Sequence, residues 1–435
     1  MKKLVNICWF RRDLRLHDQA ALYHALKAGS PVLPLFIFDT NILDELEEDD
    51  ARITFIHEEL ENLHRTLVKK GSGFRVFHST PLDAFKVITN EYDVEAVFTN
   101  HDYEDYARRR DGEVAQFLST LNIPFYTYKD QVIFDKQEIL KPNGEAYTVF
   151  SPYSRKWKSE LNKFYTRSYP TGKYEGNYLE AKFPAFPSLA GLGFIKASIQ
   201  FPAREIEDGK MKVYDKQRNF PAADGTSRIG IHLRFGTVSI RELVRQALQN
   251  NEIYLNELIW REFYMMILWH FPHVAQGMAF RREFDRIEWR NNENEFRLWC
   301  EGRTGYPLVD AGMRQMNATG YMHNRVRMVA ASFLSKHLLI DWRWGEAYFA
   351  SKLLDYDFAA NNGGWQWSAG TGCDAAPYFR IFNPTLQANK FDPKGEYIRR
   401  WVPEFETFDY ASPIVDHDFA RKRCLQVYSA AVKPA

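Results

Sequence analysis

Between Tyr321 and Pro384 the chain gathers side chains that ordinary helical sequence leaves out. Asn361 and Asn362 are adjacent amides, Asp355 and Asp357 stand two apart, and so do Trp365 and Trp367, with Gly363-Gly364 as a flexible step among them. Desolvating such groups costs free energy, so their clustering points to a polar pocket walled by aromatic rings. A second segment, NELIWREFYMMILW, spaces Glu257, Trp260, Arg261 and Tyr264 at helical intervals, which puts a carboxylate, an indole and a phenol on one face. An isolated pair of this kind is an exposed Glu beside a core-facing Trp. Here Asn324, Arg325 and Met328 on a second helix and Trp365 and Trp367 on a third supply matching stacking and hydrogen-bonding groups.

Gly225-Thr226-Ser227-Arg228, with Tyr214 and Arg218 upstream, offers hydroxyls, backbone amides and guanidinium groups that suit a phosphate or diphosphate. Read locally, Asp224 or Thr226 as a plain helix cap is the favoured reading. The arginines at 314, 325, 327, 380, 399 and 400 crowd the same region, either as a basic face for phosphates or as partners of internal carboxylates. A net charge of +1 does not by itself indicate a nucleic-acid partner; the local distribution does.

These residues need a scaffold. A length of 435 residues corresponds to two or three domains at about 150 residues each. Short β-rich runs at 5–10, 32–38, 74–79, 94–100 and 123–128 alternate with helix-period stretches at 18–29, 51–71 and 103–122. This predicts an α/β N-terminal domain over 1–130, built on a parallel doubly wound sheet. The first strand runs into Arg11-Arg12-Asp13-Leu14-Arg15, so the glycine-rich dinucleotide turn is missing. Residues 131–205, rich in Pro, Gly, Lys and Tyr, read as an interdomain connector with a short helix at 151–163, and 206–435 as an all-α domain. No run of about 18 apolar residues exists to span a membrane. The start is too short in apolar residues for a signal peptide. Cys8, Cys300, Cys373 and Cys424 have neither metal-site nor disulfide spacing, and the cytoplasm is the expected compartment.

Together, WFRRDLRLHD, the GTS with its upstream Tyr and Arg, ELIWREFY, TGYPLVDAGMRQMNATGYMHNRVRM, DWRWGE, DYDFAANNGGWQW and YFRIFNP resemble the photolyase/cryptochrome flavoprotein family, in its order and across nearly the whole chain. Within the family the chain looks most like a class I-type cyclobutane pyrimidine dimer photolyase. The resemblance implies FAD folded into a U-shape in the helical domain, with Tyr214, Arg218, Thr226 and Ser227 toward its phosphates. Gly230 stands where many relatives have a serine. Arg327 and Asp355 resemble the ion pair near the isoalloxazine, Asp357 faces the ribityl or ring-edge polar atoms, and Asn361 lies against flavin N5. Plant-type cryptochromes place Asp there and animal-type ones Cys.

The same resemblance makes UV-damaged DNA the substrate, with a dimer flipped out of the duplex. Trp260 and Trp367 look like the indoles that stack on it, while Glu257 and Asn324 hydrogen-bond its carbonyl and imide edges. Asn324 and Met328 occupy the positions where (6-4) photolyases carry a histidine pair. Arg325, Arg380 and Lys390 are candidates for the lesion's phosphates. Trp365, Trp342 and Trp289 resemble the chain that carries an electron from the surface to photo-oxidised flavin. Eleven tryptophans also allow a plain reading as core aromatics. The implied reaction is light-driven electron transfer from reduced FAD to the dimer, bond splitting and electron return, without a metal. A second, light-harvesting chromophore is expected in the N-terminal domain. Tyr103-Glu104 is followed by Asp105-Tyr106-Ala107, which departs from one folate-binding pattern and leaves a folate held otherwise, a deazaflavin, FMN or an empty site open. The rival readings are a cryptochrome photoreceptor, a (6-4) photolyase and a flavin-free helical nucleic-acid-binding module. Against the photoreceptor stand Asn361 and an end at Ala435 without a long tail; a monomer is expected.

Overall fold

The computed structural model describes residues 2–207 and 209–433. The chain forms two compact units, and neither is continuous in sequence. The first comprises Met1–Asp135, Leu161–Glu205 and Ile229–Gln246, and the second Lys136–Glu160, Ile206–Arg228 and Ala247–Ala435.

In the first unit, β1 (Leu4–Phe10), β2 (Val32–Asp39), β3 (Arg75–Ser79), β4 (Asp93–Asn100) and β5 (Phe125–Tyr128) form one sheet in the order β3-β2-β1-β4-β5. Every neighbouring pair is parallel. β2 is buried at every position because helices cover both faces of such a sheet, which is why its sequence is a continuous apolar run. The helices include α1 (Ala20–Lys27), α2 (Ala51–Val68), α3 (Pro81–Glu91) and α4 (Asp105–Thr120). The five strands and three of these helices match the sequence expectation. α3 is an addition, begun by the Thr80 hydroxyl accepting from the Asp83 amide and by Pro81 in its first turn.

Side chains take the place of a phosphate turn at the carboxyl end of β1. Arg11 bonds the Asp111 carboxylate and the Asn100 carbonyl, and Arg12 reaches Asp102 at 3.2 Å and Glu104 at 2.8 Å. The crevice between β1 and β4, where doubly wound sheets bind nucleotides, is thus bridged by ion pairs.

The sequence boundaries at 130 and 205 do not match these units. Residues 229–246, expected in the helical domain, belong to the first unit because its buried carboxylates need them. Arg241 donates to Asp18 and Asp130, each at 2.8 Å, Ser239 donates to Asp18 at 2.6 Å, and Arg15 holds the other oxygen of Asp130 at 2.6 Å. A buried carboxylate without such partners would be too costly to keep. The expected connector is likewise divided: its helix, α5 (Phe150–Glu160), belongs to the second unit.

The second unit is helical. Its helices include α6 (Glu252–His270), α7 (Pro307–Thr319), α8 (Asn324–Ser332), α9 (Trp342–Lys352) and α10 (Phe358–Ala369), followed by α11 (Pro384–Phe391) and α12 (His417–Val432). Side-chain caps fix where four of them start. Asn251 accepts from Ile253 and Tyr254, His323 Nδ1 from Arg325, Asp341 from Arg343, and Asp357 from Ala360. The core between them contains Trp299, Met316, Val326, Phe333, Trp342, Phe349 and Trp365.

Candidate active site and cofactor cavity

A cavity of about 440 Å³ opens inside the second unit. α6 lines it with Glu257, Trp260, Arg261 and Tyr264, the four residues whose spacing predicted a common face. α8 contributes Asn324, Arg327 and Met328; Asp355 and Asp357 come from the turn before α10; and α10 contributes Asn361, Gly364, Trp365 and Trp367. Arg218 joins from a separate segment. Three helices and a turn therefore converge as the motifs implied.

Gly363 and Gly364 are not a flexible step, because both lie within α10. A Cβ on Gly363 would sit 2.2 Å from Tyr264 Cδ1, so its hydrogen is what lets α10 approach α6. A Cβ on Gly364 would meet nothing within 4 Å and would point into cavity space. Gly345 of α9 plays the first role again: a Cβ there would lie 2.1 Å from the Trp365 indole.

Arg327 and Asp355 form the expected pair, with one guanidinium nitrogen 3.0 Å from each carboxylate oxygen. Arg327 is held in place by donating from Nε to the Met322 carbonyl at 2.7 Å. Asn361 donates from Nδ2 to the Glu346 carbonyl at 3.1 Å, which fixes the amide and leaves Oδ1 as the acceptor for the cavity. Asp357 lines the cavity and also caps α10. Behind Asn361, burial raises the Glu346 carboxyl to about 7, against the pull of its bond from Asn362 at 3.0 Å.

Sequence reasoning sent Arg218 to the cofactor phosphates and Glu257 to the lesion. The structure joins them in one ion pair. Burial raises the Glu257 carboxyl above its ordinary range, and the Arg218 guanidinium beside it opposes that rise. Tyr214, Thr226 and Ser227 lie nearby but outside the lining: the Thr226 hydroxyl pairs with Tyr321 and the Ser227 hydroxyl with Tyr254, both at 2.9 Å, and Tyr214 packs edge-on against Tyr254. Neither Asp224 nor Thr226 caps a helix, since the helix at Gly230–Arg234 begins after Ile229 with no side-chain bond.

Of the crowded arginines, Arg314, Arg327 and Arg399 pair with Glu404, Asp355 and Glu406. Arg325 and Arg380 have no carboxylate partner among the described residues. Arg325 donates to Asn219 at 2.7 Å and covers one face of Phe391, whose ring Lys390 also approaches. Burial first, and then Arg218 and Arg380, pull the Arg325 guanidinium below its ordinary range. Cations that repel one another near a cavity are stabilised by a bound phosphate.

Trp365 and Trp342 share a core, and half-buried Trp289 packs against it. Gly345, against which Trp365 lies, stands one turn after Trp342 on α9. The indole in ring contact with Trp365 is Trp299, at 6.0 Å, a residue the sequence reading did not single out. It lies between Trp289 and the TGYPLVDAG motif that begins at Thr304, in a stretch whose residue types carry no signal of their own.

An orphan donor on the cavity wall tests the fit to FAD, and a second lies buried outside that wall. Trp365 Nε1 is buried without a partner and its residue lines the cavity. His323 accepts at Nδ1, so its neutral ring carries a proton at Nε2, which is buried and unpaired. Burial and four neighbouring arginines (Arg325, Arg327, Arg218 and Arg228) hold that imidazole at about 4, hence neutral. The Asn361 and Trp365 groups on the cavity wall suit the edge of a flavin. The residues fit the cofactor. In the first unit a smaller cavity of about 260 Å³ is lined by Asn41, Thr80, Tyr106, Arg109, Arg110 and Glu113.

The chain is similar to known proteins over its whole length. Residues 6–172 match the family described as DNA photolyase, and residues 254–409 match the FAD binding domain of DNA photolyase. The deoxyribodipyrimidine photo-lyase of Escherichia coli K12 is 38% identical, over 98% of this chain and 99% of its own. A class III photolyase from Agrobacterium tumefaciens superposes with a TM-score of 0.89 at 32% identity, covering 100% of this chain and 99% of that one. An archaeal photolyase from Sulfolobus tokodaii, solved with two FAD molecules, gives 0.82 at 33% identity over 98% and 99%. With matches at both ends of the chain, full-length coverage and a cavity that fits the flavin, this protein belongs to the DNA photolyase family.

Proposed function

We propose that the chain repairs DNA in light by splitting cyclobutane pyrimidine dimers, using reduced FAD. The observation that carries this reading is one cavity with two kinds of wall. Arg327, Asp355, Asn361 and Trp365 supply polar groups for a flavin, and Trp260, Trp367, Glu257, Asn324 and Met328 line the same space with a stacking and hydrogen-bonding surface for a flipped-out pyrimidine dimer. Bound FAD supplies the light-excited electron that opens the dimer and receives it back. The chain's residues bind, orient and neutralise. Trp260 and Trp367 offer ring faces, Glu257 and Asn324 meet the pyrimidine edges, and Arg218 holds Glu257 in place through their ion pair. Arg325, Arg380 and Lys390 take backbone phosphates. Tyr214, Thr226 and Ser227 form the outer part of the cofactor cradle. Trp365, Trp342 and Trp289 conduct electrons during photoreduction.

A dimer substrate is favoured over a (6-4) lesion because no imidazole lines the cavity among the described residues; Asn324 and Met328 stand where that chemistry would need one. Among those residues no helix is long and apolar enough to cross a membrane, in keeping with a DNA partner. The cavity of the first unit is the candidate seat for a light-harvesting chromophore. The test is repair of a thymine-dimer oligonucleotide by anaerobically reduced protein, with and without blue light, followed by recovery of pyrimidine absorbance. Recovery in light alone supports the reading. No recovery from protein that carries reduced FAD overturns it and moves the search to the (6-4) lesion and then to signalling.

A further inference from the structure

An indole attached through Cβ alone turns about two side-chain torsions, so a wall that must accept a flat substrate ring needs something to fix its plane. Trp260 has such a support. Phe150 lies face to face with it, ring centroids 3.7 Å apart and planes only 6° from parallel. Phe263 meets the same indole edge-on at 5.6 Å and Tyr264 lies tilted at 5.4 Å. Phe150 itself does not line the cavity, whereas Trp260 does. One face of the indole is therefore covered from outside, and what the cavity receives is the opposite face and its edge.

Phe150 is in turn anchored. It opens α5, which is pinned to α6 by buried Glu262, whose Oε1 accepts from Trp157 Nε1 at 2.6 Å and from the Tyr153 hydroxyl at 3.2 Å. Its amide donates to Asp374 Oδ2 at 3.0 Å, and Asp374 holds a left-handed φ of 46° in the segment that leads to Arg380. Trp367 has a looser counterpart in Phe382, at 6.5 Å and 29°.

We propose that Phe150 is a positioning residue for substrate: it fixes the plane of Trp260 so that a flipped pyrimidine dimer stacks on the cavity face without first ordering the indole. The inference rests on the reading of Trp260 as a lesion wall. Pre-ordering of this kind acts on lesion affinity and leaves contacts to undamaged backbone alone.

The experiment measures dark binding of FAD-loaded Phe150→Ala, Phe150→Leu and Phe150→Tyr to a dimer-containing duplex and to the undamaged duplex, with Trp260→Ala alongside. Phe150→Ala and Phe150→Leu are expected to weaken dimer binding by about twofold to about tenfold, the range an aromatic pair supplies. Binding to undamaged DNA stays as in the wild type, and Phe150→Tyr, which keeps the stack, binds the dimer normally. If Phe150→Ala loses flavin, Phe150→Leu decides, since it fills the volume without a ring. Wild-type dimer affinity in Phe150→Leu, or an equal loss on both duplexes, overturns the proposal. If Trp260→Ala also binds the dimer normally, the lesion-wall reading falls with it; if Trp260→Ala alone is impaired, only the role of Phe150 fails.

Discussion

Adjacent glycines in α10 have opposite surroundings, and exchanging each for alanine separates them. At Gly363 the new Cβ would lie 2.2 Å from the Tyr264 ring, and Tyr264 is itself packed between Trp260 and Phe263. Overpacking costs about 1–3 kcal/mol, here about 3 because three Tyr264 ring atoms lie within 2.7 Å, and alanine recovers about 0.5–1 kcal/mol of helix propensity, so Gly363→Ala should lose about 2 kcal/mol. At about 2–4 °C per kcal/mol for a unit of this size, its melting temperature falls by several degrees with or without flavin. At Gly364 the Cβ meets nothing, so flavin-free Gly364→Ala should melt slightly higher than wild type, by about 0.5–1 kcal/mol. The same methyl occupies cavity space, and overpacking the bound state should weaken FAD by about fivefold to about a hundredfold. The assay is a pair of melts, flavin-stripped and flavin-loaded, with flavin retention read from visible absorbance. Gly364→Ala that keeps FAD as well as wild type, or Gly363→Ala that melts normally, would refute this account of the site's construction.

Glu257→Ala should lower the yield of repair per absorbed photon more than it weakens dimer binding, since it removes the carboxylate and leaves Arg218 unpaired at the wall; an unchanged yield removes the proposed role. Trp342→Phe should block photoreduction of oxidised flavin while pre-reduced enzyme still repairs, and loss of both activities would indicate structural damage instead. Glu346 adds a pH dependence. Its folded value is raised to about 7 by burial, so the stability it contributes is complete below its unfolded value of about 4.3 and is lost as pH rises through 7. Relative to Glu346→Gln, which keeps the acceptor for Asn362, wild-type protein should lose up to about 3 kcal/mol between pH 5 and pH 8, at about 1.4 kcal/mol per unit. Parallel melting curves for the two proteins across that range would contradict this.

Much of the architecture was legible because local physics repeats along the chain. Five short branched or aromatic runs became five strands, and the spacing of Glu257, Trp260, Arg261 and Tyr264 became one wall of the cavity. A strand's period and a helix's period survive in the sequence whatever surrounds them. The boundary residues were harder. Arg241 looks like an ordinary helix charge until Asp18 and Asp130 are found beside it, and Phe150 sits in a Pro/Gly-rich stretch with nothing nearby to connect it to Trp260.

The sequence by itself determined which amides, indoles, carboxylates and arginines the chain carries and in what order, and that order is what resembles the photolyase/cryptochrome family. Only the tertiary structure decided their pairing. Arg218 meets Glu257 across 39 residues of chain, and Phe150 meets Trp260 from a different helix. Gly363 and Gly364 look alike in sequence and differ only by what α6 places opposite them. Contacts between distant segments depend on how helices dock, and docking is set by the whole packed core, which no local window of sequence contains.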